Sequence, residues 1–83
     1  MIGGQVMLEK IQEIFSKYMS GKCSIKELQS RLRSIPIQEP DPENWNAILF
    51  ELDNQLEEII FTKLPENQYA EVISVFKSIL SLE

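Results

Sequence analysis

The sequence predicts an all-α fold, a small four-helix antiparallel bundle with room for irregularity, and two observations carry that reading. Apolar residues recur at steps of three and four, the period of one helix face, and no stretch alternates as a half-buried strand does. The breaks between those stretches are helix punctuation: a glycine, a serine capping box and prolines. With 83 residues, 43% of them hydrophobic and 25% charged, the chain suits one domain, residues 1–83, around one core.

The first helix is expected over about residues 5–20, where Met7, Ile11, Ile14, Phe15 and Tyr18 share a face. Gly21 follows where a left-handed C-cap favours glycine, and Lys17 suits the negative end of the helix dipole. The second helix, about 25–34, opens on Ser24-Ile25-Lys26-Glu27, whose S-x-x-E spacing forms a capping box. Its apolar face is Ile25, Leu28, Leu32 and Ile35, and Pro36 stops it.

Pro36, Pro40 and Pro42 make the next segment an extended connector, because proline removes a backbone donor and blocks helix interiors. Asp41 is then the expected N-cap of the third helix, about 42–63, with Pro42 at its first position and Glu43 in its first turn. Trp45, Ile48, Leu49, Leu52, Leu56, Ile59 and Ile60 form its core stripe. Leu64-Pro65 breaks the chain before a fourth helix, about 65–82, with Tyr69, Val72, Ile73, Phe76, Ile79 and Leu80 inside. The main core is expected from Ile11, Phe15, Trp45, Leu49, Leu52, Leu56, Ile60, Ile73 and Phe76. Short connections on either side favour antiparallel neighbours.

Histidine is absent and Cys23 is the only cysteine, so the commonest general base, the commonest metal ligand and any disulfide within one chain are all missing. The expectation is a protein that is not an enzyme and uses no cofactor and no metal. No apolar run approaches the about 20 residues of a membrane span or the core of a signal peptide, so a cytoplasmic protein with no membrane association is expected. Ser16, Ser24 and Ser74 lack a base partner, and Cys23 lacks a second thiol.

The net charge of −5 is unevenly spread. Residues 1–37 carry six cations against three acids, whereas residues 38–83 carry two cations against ten acids. Phosphate binding needs clustered cations, so the acidic half predicts a basic protein partner and no nucleic acid. Lys22, Lys26, Arg31 and Arg33 form a modest basic cluster without interleaved aromatics, which reads as a solvated face.

The feature hardest to derive from folding alone is the back of the third helix. Counted at 100° per residue from Trp45, Phe50 falls near 140° and Phe61 near 160°, away from the core stripe. Glu43, Asn54 and Glu57 share that face, with Asp53 on one flank and Glu58 on the other. Aromatic anchors among acids suit a basic partner, the rings supplying affinity and the carboxylates steering. The alternative is that both rings pack within the fold or against a homodimer mate, and the sequence leaves the two readings open.

The run Phe15-Ser16-Lys17-Tyr18-Met19-Ser20-Gly21-Lys22-Cys23-Ser24-Ile25-Lys26-Glu27-Leu28, followed by a long central helix with Leu52-Asp53 and a closing amphipathic helix, resembles the small colicin D-type bacteriocin immunity proteins. That resemblance covers nearly the whole chain and implies an inhibitor that lays an acidic helical surface over the basic active site of a toxin nuclease. The positive N-terminal half departs from the pattern and would face away from such a toxin. The site residues, Phe50, Phe61, Glu43, Asp53, Asn54, Glu57 and Glu58, come from the geometry of the third helix alone. A small regulatory adaptor and a structural homodimer stand as the other readings.

Overall fold

The computed structural model describes residues 2–80, with side chains from Val6 onward. It holds four helices, α1 (Ile2–Met19), α2 (Ile25–Arg33), α3 (Trp45–Thr62) and α4 (Pro65–Leu80), and no strand among the described residues. Consecutive helices pack on one another in a body of 39 × 23 × 21 Å. Arg33 meets Asp53 while Gln29, one turn earlier, meets Glu57, one turn later, so α2 and α3 run antiparallel. Phe15 pairs with Phe76 and Tyr18 with Tyr69, which sets α1 antiparallel to α4 and closes the bundle.

α1 starts at Ile2, three residues before the expected position, because the Gly3-Gly4 pair lowers helix propensity without forbidding the helix. Its end is as expected and well built. Gly21 adopts φ +80°, its N–H donates to the Tyr18 carbonyl at 3.0 Å, and the Lys22 N–H donates to the Lys17 carbonyl at 2.9 Å. This is the Schellman arrangement, in which a left-handed residue lets two backbone donors return to the last turn. The next helix opens on the predicted capping box: the Glu27 N–H donates to Ser24 Oγ at 3.1 Å, and the Ser24 N–H donates to Glu27 Oε1 at 2.9 Å.

The start of α3 differs from expectation. The helix begins at Trp45, because Pro42 and Glu43 form a turn closed by the Asn44 N–H on the Asp41 carbonyl at 3.2 Å. Asn44 sits in the left-handed region at φ 62°, which its short polar side chain tolerates. Asp41 still serves the helix terminus, accepting from the Trp45 and Asn46 N–H groups at 2.8 and 2.7 Å, but it reaches over the turn to do so. The connector is pinned by a reciprocal pair, with the Gln38 N–H donating to Asn46 Oδ1 at 2.8 Å and Asn46 Nδ2 donating to the Gln38 carbonyl at 2.9 Å. Ser81 and Leu82, which the expected fourth helix included, lie outside the described residues.

The core consists of Met7, Ile11, Phe15 and Tyr18 from α1, Leu28 and Leu32 from α2, Leu52, Leu56 and Ile59 from α3, and Val72 and Phe76 from α4. Cys23 and Ile35 close it from the loops. Phe15 and Phe76 stack face to face with ring centroids 4.2 Å apart. Five of the nine expected core residues are buried, whereas Trp45, Leu49, Ile60 and Ile73 are half-buried against the cluster, with Ile59 taking the depth expected of Ile60. Tyr69 is a clearer correction: it is exposed, its ring 5.8 Å from Tyr18 and its hydroxyl donating to the Met19 carbonyl at 3.2 Å. That bond satisfies a carbonyl left over at the end of α1.

Candidate functional site

α3 packs α2 on one side and α4 on another, and its remaining side carries Phe50, Asn54 and Phe61. Phe50 is 67% exposed and Phe61 76% exposed, so neither ring is part of the chain's own core. They stand 11 positions apart on one face, roughly 16 Å along the helix axis. Asn54 lies between them and Glu58 on the flank away from α2, both exposed.

Two of the expected acids do not stand open. Arg33 Nε donates to Asp53 Oδ1 at 2.7 Å and its Nη2 to Oδ2 at 3.3 Å, a fork on one carboxylate, and Nη2 also lies 3.5 Å from Glu57 Oε1. The buried Gln29 amide donates to the same Glu57 oxygen at 2.8 Å. The hydrogen bond and charge of Asp53 raise the Arg33 pKa above its already high ordinary value, so the fork is charged at any physiological pH. Asp53 and Glu57 therefore join α2 to α3, and Arg33 offsets one of their two negative charges. Glu43 is displaced from the helix face altogether: it lies in the turn before α3 and accepts from Trp45 Nε1 at 3.2 Å. The exposed acids beside the aromatic pair are Glu58 and Glu51, neither in an ion pair among the described residues.

Arg33 divides the α2–α3 seam into two grooves. One, of about 360 Å³, is apolar, formed by Leu32, Ile35, Pro36, Ile37, Leu49 and Phe50. The other, of about 340 Å³, is mixed and runs past Lys26, Gln29 and Ser30 to Ile60 and Phe61. Each groove thus ends on one of the two exposed rings. Ile37 is the most exposed large apolar residue among those described, at 83%, and rims the apolar groove.

Sequence reasoning missed Arg33, Gln29 and Ile37 as members of this face. Gln29 and Arg33 are one turn apart beside the Leu28/Leu32 stripe, which places them at the edge of a buried face, and an isoleucine between prolines is an apolar residue with no periodic partner. Among the described residues no helix is long and apolar enough to cross a membrane, and no three His, Cys, Asp or Glu side chains gather as metal ligands. No protein-family model matches the chain, and no curated protein or solved structure is significantly similar to it.

Proposed function

We propose that the chain is a non-catalytic, cytoplasmic binding module that docks a basic protein partner on the outward face of α3, with Phe50 and Phe61 as anchors. The observation that carries the reading is the exposure of both rings on one helix face, each at the end of a groove. Large apolar side chains held out in water disfavour the free state and are relieved by a partner that covers them, which is why aromatics dominate binding hot spots. The apolar groove accepts a large aliphatic or aromatic side chain, and Glu51 and Glu58 attract cations on the opposite flank. Taken with the likeness to immunity proteins, the favoured partner is a toxin nuclease whose basic active site this surface covers.

The test is to capture partners from the native host with the wild-type chain and with Phe50→Ala and Phe61→Ala, and then to measure association and dissociation with the purified partner. Truncating either ring should raise the dissociation rate by about 30-fold, whereas Glu51→Lys with Glu58→Lys should slow association, most clearly at low salt. A nuclease partner should regain activity when the ring variants replace the wild type. Unchanged binding by both ring variants, each still folded, would remove α3 as the docking face.

A further inference from the structure

We infer that the outward face of α3 is self-complementary, and that the free protein pairs through it with a second copy of this chain, α3 against α3 and antiparallel. The inference rests on the reading of this face as a docking surface and names its occupant when no other partner is present. Phe50, Asn54, Glu57 and Phe61 follow one another at i, i+4, i+7 and i+11, a single stripe along the helix. The stripe is symmetrical about the point between Gln55 and Leu56. A two-fold axis through that point sets Phe50 opposite Phe61 of the second copy and Asn54 opposite Glu57 of the second copy. Each pair then occurs twice, as an isologous contact requires.

Both pairings match chemically. Aromatic meets aromatic, and an amide donor meets a carboxylate. Gln29 and Arg33 converge on Glu57 Oε1, which leaves Oε2 for the Asn54 amide of the second copy. The apolar groove beside Phe50 and the Phe61 ring lie at symmetrical positions about the same axis, so the two-fold brings the ring of one copy to the groove of the other. Parallel pairing instead sets Glu57 against Glu57, a like-charge contact.

The four rings bring about 600 Å² of exposed surface, taking a phenylalanine as about 200 Å² and the observed exposures. Ala47, Glu51, Asn54 and Glu58 extend this toward the roughly 1,000 Å² that a specific interface needs. The pair is accordingly weak, and a heterologous partner can displace it. The two-fold gathers the acidic flanks of both copies on one edge of the pair, with Glu58 of one copy nearest Glu51 of the second copy, so added salt should strengthen the dimer.

Sedimentation equilibrium from about 10 μM to 1 mM, at low and high salt, tests the pairing in a range that reports micromolar to millimolar dissociation constants. The expected result is a monomer–dimer equilibrium that tightens with salt and weakens at least about 10-fold in Phe50→Ala and in Phe61→Ala, with unchanged circular dichroism. Asn54→Lys, which sets a cation opposite Glu57 of the second copy, should tighten the dimer, and Asn54→Asp should loosen it. A monomer at every concentration, a dimer indifferent to both ring substitutions, or a dimer loosened by Asn54→Lys would overturn the inference. Self-association and heterologous binding are read separately: a monomer whose ring variants still lose the other partner refutes the pairing and leaves the docking face in place.

Discussion

Leu52 and Phe50 sit two positions apart on α3, one with 0% exposure and the other with 67%, and they should respond oppositely to truncation. Leu52→Ala removes three carbons, worth about 2.4 kcal/mol at about 0.8 kcal/mol each. A residual cavity of about 50 Å³ adds about 1.2 kcal/mol at the slope found for buried leucines, for a total near 3.5 kcal/mol. A domain of this size is typically stable by only about 4–12 kcal/mol, so the loss is a large share, and it should lower the melting temperature by about 14–28 °C. Phe50→Ala removes surface that water already covers and replaces an aromatic with a better helix former, so its cost should stay below about 1 kcal/mol. Urea titrations followed by far-UV circular dichroism, at concentrations where the chain is monomeric, give both numbers. A loss below about 1 kcal/mol at Leu52, or above about 2 kcal/mol at Phe50, would show that the two faces of α3 have been assigned the wrong way round.

Gly21→Ala meets no atom within 4 Å of the new Cβ, so its cost is conformational, about 1 kcal/mol for an L-residue held at φ +80°, readable as a urea midpoint shift with unchanged slope. Ser24→Ala removes the side-chain acceptor for the Glu27 N–H and should cost about 1 kcal/mol in the same titration. Burial, reinforced by Tyr69 and Cys23, raises the Tyr18 pKa above its ordinary 10.0, so the folded state keeps that proton longer than the unfolded chain does. The associated stability is fully present below the ordinary value of 10.0 and is lost as the pH rises beyond it through the higher pKa of the folded state, and Tyr18→Phe should flatten this alkaline decline in thermal melts. Arg33→Gln should leave the melting temperature little changed, because the fork is largely in water, while unmasking Asp53 and Glu57 and so speeding association with a cationic partner at low salt.

The parts of this fold written in local sequence were legible. Gly21 and the Ser24/Glu27 box are interactions between residues at most five apart, and both stand where the letters place them. Helical period sets Phe50 and Phe61 opposite the Leu52/Leu56 stripe but leaves open whether they pack against another helix or a second copy, and the structure leaves both exposed on the chain. What escaped depends on neighbours distant in the chain. Asp41 caps α3 as its residue type predicts, but from farther away than a proline-led helix start implies, because a Pro42-Glu43 turn with left-handed Asn44 intervenes. Asp53 and Glu57 read as open acids on the helix alone, but Arg33, 20 residues before Asp53, contacts both. Tyr69 keeps the helical period of a core residue yet ends at the rim, because its hydroxyl finds the Met19 carbonyl 50 residues back.

The division of charge across α3 bears on how a partner could be oriented. Asp53 and Glu57 lie on the flank toward α2, where Arg33 offsets part of their charge and the apolar groove opens. Glu51 and Glu58 lie on the other flank, exposed and without ion pairs among the described residues. On the proposed reading, a partner therefore meets an apolar edge and an acidic edge separated by one helix width, with an aromatic ring at each end of the groove line. A cation seated toward the grooves would meet the guanidinium of Arg33 and the ammonium of Lys26, and it gains more on the Glu51/Glu58 side. The same asymmetry separates the two occupants proposed for this face. A second copy brings the Glu51/Glu58 flank against the same flank and is favoured by salt, whereas a basic partner brings cations to those carboxylates and is weakened by it. Salt therefore acts in opposite directions on self-pairing and on partner binding, which follows from leaving the Glu51/Glu58 flank of α3 without a cation while Arg33 offsets part of the charge on the other.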